Sequence, residues 1–244
     1  MISSVMQTTP DAERDEYIRV MGPELGQVCH ELQNDFGWLV HKWLEHKELY
    51  RRGQERIDLL NSVASNFFYF LNKLLFEDAM LHLCRLTDPP RSCGKNTLTV
   101  RRLAELVSEP TLKNVVQTKA DHAKNSCDFA RKWRNQRLAH TDLETLRTGH
   151  AAILPSVNAS NIEDAMNAIS DVIGSVEAHY GRPHSITISD PWGSKSLVGY
   201  LKHSKKLRDQ EMAGWRSLVK AAAKAGEPED VDSLKTGSGI QHSK

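Results

Sequence analysis

The chain has 244 residues, with 32 Lys+Arg against 31 Asp+Glu and a formal net charge of +1. That balance excludes nucleic-acid binding through overall charge, so any contact with a polyanion must come from a local basic patch. Hydrophobic content of 39% supplies a packed core for one large domain or two small ones.

The N-terminal stretch MISSVMQTTPDAERDEY holds no apolar segment of signal-peptide length, and no run of about 18 apolar residues occurs, so a soluble, cytoplasmic chain without membrane association is expected. Cys29, Cys84, Cys93 and Cys127 form no CxxC or paired metal spacing and are read as reduced thiols, two or three of them buried. Residues 1–14 are expected to be a flexible N-terminus. From Asp15 to Tyr50 the periodicity is helical, with Val28, Leu32, Phe36, Leu39, Trp43 and Leu44 inward and interruptions at Gly22-Pro23 and Gly37. His30, His41 and His46 lie here without a tight ligand pair, and solvated or half-buried side chains are the expectation.

The second helical pattern, Glu55 to Thr87, is the longest, about 50 Å if unbroken. Its expected core stripe is Val63, Phe67, Phe70, Leu71, Leu74, Leu75, Leu81 and Leu86. Asp78, Arg85 and Asp88 share one side at steps of seven and three, and Pro89-Pro90 stops the helix. Two readings fit: a salt-bridged helix end, or a second positive group in which Asp78 orients Arg85. A turn-rich basic loop, Asp88–Asn96, leads to a short helix, Leu98 to Ser108, and a fourth helix from Thr111 to His140. Ser160 and Glu163 read as a capping box for a helix to Tyr180, with Ile162, Met166, Ile169, Val172, Ile173 and Val176 on one face. Beyond Gly181-Arg182-Pro183, alternation at Ile186 and Ile188 predicts an extended C-terminal arm over 183–208, with a turn at Asp190–Ser194. Lys202–Arg208 reads as a solvated basic helix face or an RNA-backbone contact. Residues 209–244 are a C-terminal helix or disordered tail, and the core bundle spans about 20–180 of a 15–208 domain.

One stretch stands out chemically. Asp128–Asp142, DFARKWRNQRLAHTD, has four basic residues, two aromatics and a histidine, with no acid between its ends. Upstream, Val116, Ala120, Ala123, Cys127 and Ala130 recur at steps of four and three, one buried helix face. The next step of four reaches Arg134, and a parallel stripe runs Phe129, Trp133, Gln136, His140. Arg134 and His140 therefore continue apolar faces, about 120° apart and about 9 Å along the axis, bordering one groove. By itself an arginine–histidine pair at this spacing is a weak pattern, equally read as a helix-capping histidine and a surface arginine. The small residues at 120, 123 and 130 allow another helix to approach closely, from the same chain or a second copy.

Arg-Asn-x-x-x-Ala-His at the end of a long helix resembles the signature of HEPN domains (higher eukaryotes and prokaryotes nucleotide-binding), in the form of the abortive-infection, U-type branch. Longer stretches carry the likeness more specifically: NSVASNFFYFLNKLLFEDAMLHLCRLTD, LTVRRLAEL and RKWRNQRLAHTDL. The resemblance implies an all-α fold, a HEPN-like antiparallel helical bundle with a short extended C-terminal arm. It also implies dimerisation, pairing of two motifs across a cleft, and metal-independent RNA cleavage, with no cofactor. Arg134, His140 and Asn135 would be catalytic; Arg85, Asp78, Arg131, Arg137 and Lys132 would be RNA-binding or accessory. Gln136 and Thr141 depart from the branch, standing where further basic residues are expected, which bears on substrate affinity.

RNA carries its own nucleophile, the 2′-hydroxyl, so cleavage needs a base, an acid and positive donors at phosphorus. A histidine exchanges protons near neutral pH, and an arginine fork matches phosphate oxygens. The expectation is a homodimeric endoribonuclease acting on single-stranded or loop RNA, in phage defence or a toxin–antitoxin system with an antitoxin or defence partner protein. The alternatives are a bundle that binds RNA or a nucleotide without cutting, and a structural dimer in a defence complex.

Overall fold

The computed structural model describes residues 10–135, 157–182 and 190–225. Among them the chain forms eight helices and one two-stranded hairpin, so the fold is an all-α bundle. Helix α1 (Pro10–Met21) turns at Gly22 into α2 (Pro23–Tyr50). Gly22 has φ of 84°, a left-handed value that suits glycine, and Pro23 starts α2 where its missing N–H costs nothing. Gly37, expected to interrupt α2, lies within it, because tertiary packing of Phe36, Leu39 and Val40 outweighs the weak propensity of one glycine.

Helix α2 is the centre of the bundle. Cys29, Leu32, Phe36, Leu39 and Trp43 are buried against neighbours on several sides, and Val28 and Leu44 pack partly buried against the same core. Helix α3 (Gln54–Thr87) packs against α2 and is broken at Ala64, whose φ of −157° and ψ of 72° are not helical. Beyond this kink Phe68, Ala79, Met80, Leu83, Cys84 and Leu86 face the core. The stripe expected there is largely wrong: Val63, Phe67, Phe70, Leu74 and Leu81 are exposed, and only Leu86 is buried. Helix α3 is apolar on two faces, so periodicity alone did not say which one packs.

Arg91–Ser92 and Lys95–Asn96 pair as a small antiparallel hairpin in the expected loop, with Cys93 and Gly94 both at positive φ in its turn. Helix α4 (Val100–Leu106) follows, then α5 (Pro110–Ser126) and α6 (Asp128–Trp133). Helix α7 (Ala159–His179) lies along α5. Its expected face is right, since Ile162, Met166, Ile169, Val172, Ile173 and Val176 are all buried. Its capping box is not Ser160/Glu163. Asn158 accepts from Asn161 N at 2.9 Å and donates from its own N to Asn161 Oδ1 at 3.0 Å. Glu163 instead accepts from Lys47 at 2.6 Å, tying α7 to α2, and that bond holds its carboxyl below the usual range.

A buried polar pair joins the ends of the bundle. The Tyr17 hydroxyl donates to Glu177, both at most 3% exposed, and the Arg182 guanidinium lies 3.9 Å over the Tyr17 ring. Burial pushes the Tyr17 hydroxyl far above its ordinary pKa, so it stays a donor to the carboxylate. Helix α8 (Trp192–Ala225) begins where a turn was expected. The chain is therefore helical over most of the predicted arm, while 183–189 lie outside the described residues. Residues to Lys195 belong to the bundle, where Ser194 N donates to Glu45 Oε2 at 2.7 Å. From Ser196 to Ala225 the helix belongs to a second unit, where Leu207, Met212, Trp215, Leu218 and Val219 are exposed. Its Lys202–Arg208 stretch is mostly solvated. No described helix is long and apolar enough to cross a membrane.

Helices α1 and α2 touch at Gly26, where an added Cβ would meet Tyr17 O at 2.4 Å, whereas at Gly37 it meets nothing within 4 Å. Gly26→Ala should cost about 2 kcal/mol by forcing the helices apart. Gly37→Ala should gain about 0.5–1 kcal/mol from helix propensity. Thermal unfolding of the two variants checks this: the midpoints should move in opposite directions.

Candidate functional site

The motif begins at a helix stop. Glu109 starts α5 by accepting from Thr111 N at 2.9 Å and from Leu112 N. The expected single helix from Thr111 to His140 is broken at Cys127, with φ of −95° and ψ of 6°. The last turn tightens there, Cys127 N bonding to both Ala123 O and Lys124 O at 3.2 Å, and α6 restarts at once. The break barely alters the facing of the chain. Val116, Ala120, Ala123, Cys127 and Ala130 are all fully buried, as the four-three spacing predicts.

Helix α6 is fastened to the C-terminal end of α3. Asp88 precedes Pro89 and takes an extended ψ of 167°, as a residue before proline prefers, so α3 ends at Thr87 with the Asp88 carboxylate just beyond it. Arg131 donates to Thr87 O at 3.0 Å, to Thr87 Oγ1 at 2.7 Å and to Lys124 O at 2.6 Å. It thereby caps carbonyls at the negative end of α3 and at the end of α5. Arg134 donates from one terminal nitrogen to Asp88 Oδ2 at 2.7 Å, while Arg131 Nε stands 3.8 Å from Asp88 Oδ1. Trp133 meets Phe76 of α3 edge-on, with ring centroids 5.3 Å apart.

These contacts separate the predicted residues by role. Arg134 is half-buried, its side chain 30% exposed. Its Nε donates to Asn135 Oδ1 at 3.3 Å, and among the described residues its second terminal nitrogen makes no hydrogen bond. Asn135 and Lys132 are exposed. Arg131, expected as an RNA-binding or accessory residue, clamps the helix ends, its guanidinium held by Thr87, Lys124 and Asp128. Arg137 and His140, with Gln136 and Thr141, lie outside the described residues.

The second reading of Arg85 also needs correction. Asp78 does not orient it: Asp78 pairs with Lys42 of α2 at 2.5 Å. Arg85 pairs with Asp35 of α2 at 2.6 Å, and buried His82 stands 3.2 Å from the same carboxylate. Burial pushes the Asp35 carboxyl up, but the bond from His82 and the neighbouring positive charges outweigh it and hold it low. Arg85 borders a separate cleft of about 540 Å³ beside the exposed ring of Trp38. Sequence reasoning placed Asp88 on the right side of α3 but missed its grip on Arg134, which joins positions 46 apart in the chain.

The cysteines near the motif are not nucleophiles at neutral pH. Burial pushes the Cys84 thiol up to about 11 and Cys127 up to about 12. The guanidinium of Arg134 and the amide of Asn135 lie side by side here. Together they offer a charged, oriented donor at a helix end, suited to a phosphate oxygen.

The chain matches the family model for AbiU2, a HEPN-domain family, over residues 23–193. No curated protein and no solved structure matches it. The matched range covers well over half of the chain. It contains Asp88, Arg134, Asn135 and His140, from the centre of the bundle to the start of α8. The chain belongs to the AbiU2 family of HEPN domains.

Proposed function

We propose that the protein is a HEPN-type endoribonuclease that works without metal, acting as a homodimer in phage defence or in a toxin–antitoxin pair. The observation that carries this reading is the state of Arg134: a guanidinium held by Asp88 and Asn135, half-buried at a helix end, with a terminal nitrogen unused among the described residues. In this reading Arg134 binds a non-bridging oxygen of the scissile phosphate. His140 takes the 2′-hydroxyl proton or protonates the departing 5′ oxygen. The 2′ oxygen attacks phosphorus and the P–O5′ bond breaks, leaving a 2′,3′-cyclic phosphate and a 5′-hydroxyl. One chain brings one such histidine, and a two-fold dimer brings two, enough for base and acid.

The bare apolar stripe of α3 supports a dimer. Phe67, Phe70 and Leu74 are each about 60% exposed and lie on one side of the helix with Leu81. Such a face is a fit for a second copy, because monomers rarely leave contiguous apolar patches in water. The second reading, RNA binding without cleavage, is favoured by one contact: Asp88 already neutralises much of the Arg134 charge that a transition state would use.

Purified protein incubated with total RNA in chelator should release fragments ending in 2′,3′-cyclic phosphate. His140→Ala should lower that rate by about 10²–10⁴-fold while leaving the fold unchanged, the usual span for losing a general acid or base; cutting at the parental rate would refute the assignment. Asp88→Ala should lower the rate by about tenfold by freeing Arg134 to wander, read as kcat with total RNA. Leu74→Glu should convert dimer to monomer in sedimentation and abolish cleavage with it; an unaltered dimer would show that the seam lies elsewhere.

A further inference from the structure

A cleft of about 410 Å³ lies between α3, the end of α2 and the motif helix α6. That is within the usual range for small-ligand sites. Tyr50, Tyr69, Phe76 and Trp133 supply its aromatic surface. Tyr69 is 66% exposed and Phe76 half-buried, and Trp133, the residue before Arg134, closes one side. Tyr50 is fixed at another wall by donating its hydroxyl to Phe68 O at 2.9 Å.

The rim is cationic. Arg51 and Lys73 are both exposed on the cleft, and Lys73 stands only loosely beside Glu77, at 3.8 Å. Between rings and cations lie two neutral polar groups. His46, 2% exposed and stacked flat on Trp43, has one ring nitrogen 2.8 Å from Asn72 Oδ1. Its other nitrogen, Nδ1, is buried and without a hydrogen-bond partner in the described structure. Burial holds the His46 pKa below its ordinary value, so it serves as a neutral ring. With Asn72 Oδ1 accepting from His46, the Asn72 amide nitrogen keeps its donors for a ligand.

We propose that this cleft seats one base of a single-stranded RNA, stacked on Tyr69 with its phosphate on Lys73 and Arg51, beside the phosphate held at Arg134. The three kinds of group match the three parts of a nucleotide. Aromatic faces take a base of any identity, cations take the phosphate, and the Asn72 amide meets the base edge. An apolar helix from a protein partner would leave the rim cations and the Asn72 donors unmet. Trp133 of the cleft wall immediately precedes Arg134 in the chain. The choice of RNA as occupant rests on the ribonuclease reading; the base-and-phosphate chemistry of the cleft does not.

The test uses the full chain and a fluorescein-labelled 2′-O-methyl hexa-adenylate, which lacks the nucleophile and cannot be cut, followed by anisotropy. Tyr69→Ala should weaken binding by about tenfold or more, and Tyr69→Phe should bind as the parent does. Lys73→Ala should weaken binding and flatten its salt dependence. Tyr69 is exposed, so its loss should leave the melting curve unchanged, a control on folding. Equal affinity of Tyr69→Ala and parent would overturn the cleft while leaving cleavage by the parent intact. Binding that depends on Tyr69 in a chain that cuts no RNA would uphold the cleft and sink the nuclease. Adenosine monophosphate binding as tightly as the hexamer would overturn the single strand as occupant.

Discussion

A carboxylate just past the end of α3 meets two guanidinium groups of α6, and the position of the motif follows from that contact. Asp88 lies there because Pro89-Pro90 can neither continue the helix nor leave its predecessor helical. Arg131 and Arg134 are one step of three apart on α6, so both reach the same end of α3. They do different work. Arg131 satisfies backbone carbonyls that the ends of α3 and α5 leave open, and Arg134 keeps part of its fork in solvent. A lysine at either place would carry the charge without the second and third donors in fixed geometry.

The bundle was readable where one helix face is apolar and the other is not. The small-residue face from Val116 to Ala130 and the α7 face from Ile162 to Val176 are buried as their spacing implies. Helix α3 was misread because both of its faces are apolar, and only the partners across the core decide between them. The backbone break at Cys127 and the kink at Ala64 left no mark in residue type, since neither is a glycine or proline. One of the two sequence readings of Arg85 paired it with Asp78, and the structure pairs it with Asp35. Asp78 stands seven residues before Arg85 on the same helix, yet each finds its partner on α2. Ion-pair choices of this kind depend on how helices cross, which spacing along one helix does not encode.

Two sets of polar contacts tie helices of the bundle together. Tyr17 and Glu177 tie α1 to α7, and the Arg182 guanidinium lies over the tyrosine ring. Lys47, Trp43 and Glu163 do the same for α2 and α7. Both sets join elements distant in the chain, so they specify which helices neighbour one another more than they add stability. Family membership agrees with that division, since the matched range takes in all of α2 through α7 and omits α1.

The uneven packing of α3 has a mechanical side. From Ala79 to Thr87 the helix is gripped by the core, whereas from Asn66 to Leu74 only Phe68 is buried. Opening free energy must therefore fall toward the kink, and the loose half carries both the bare apolar stripe and Tyr69, Asn72 and Lys73 of the cleft. In the proposed dimer and RNA cleft, anything that clamped one flank of that half would also stiffen the other, and the rigidity of one rod would couple the two events.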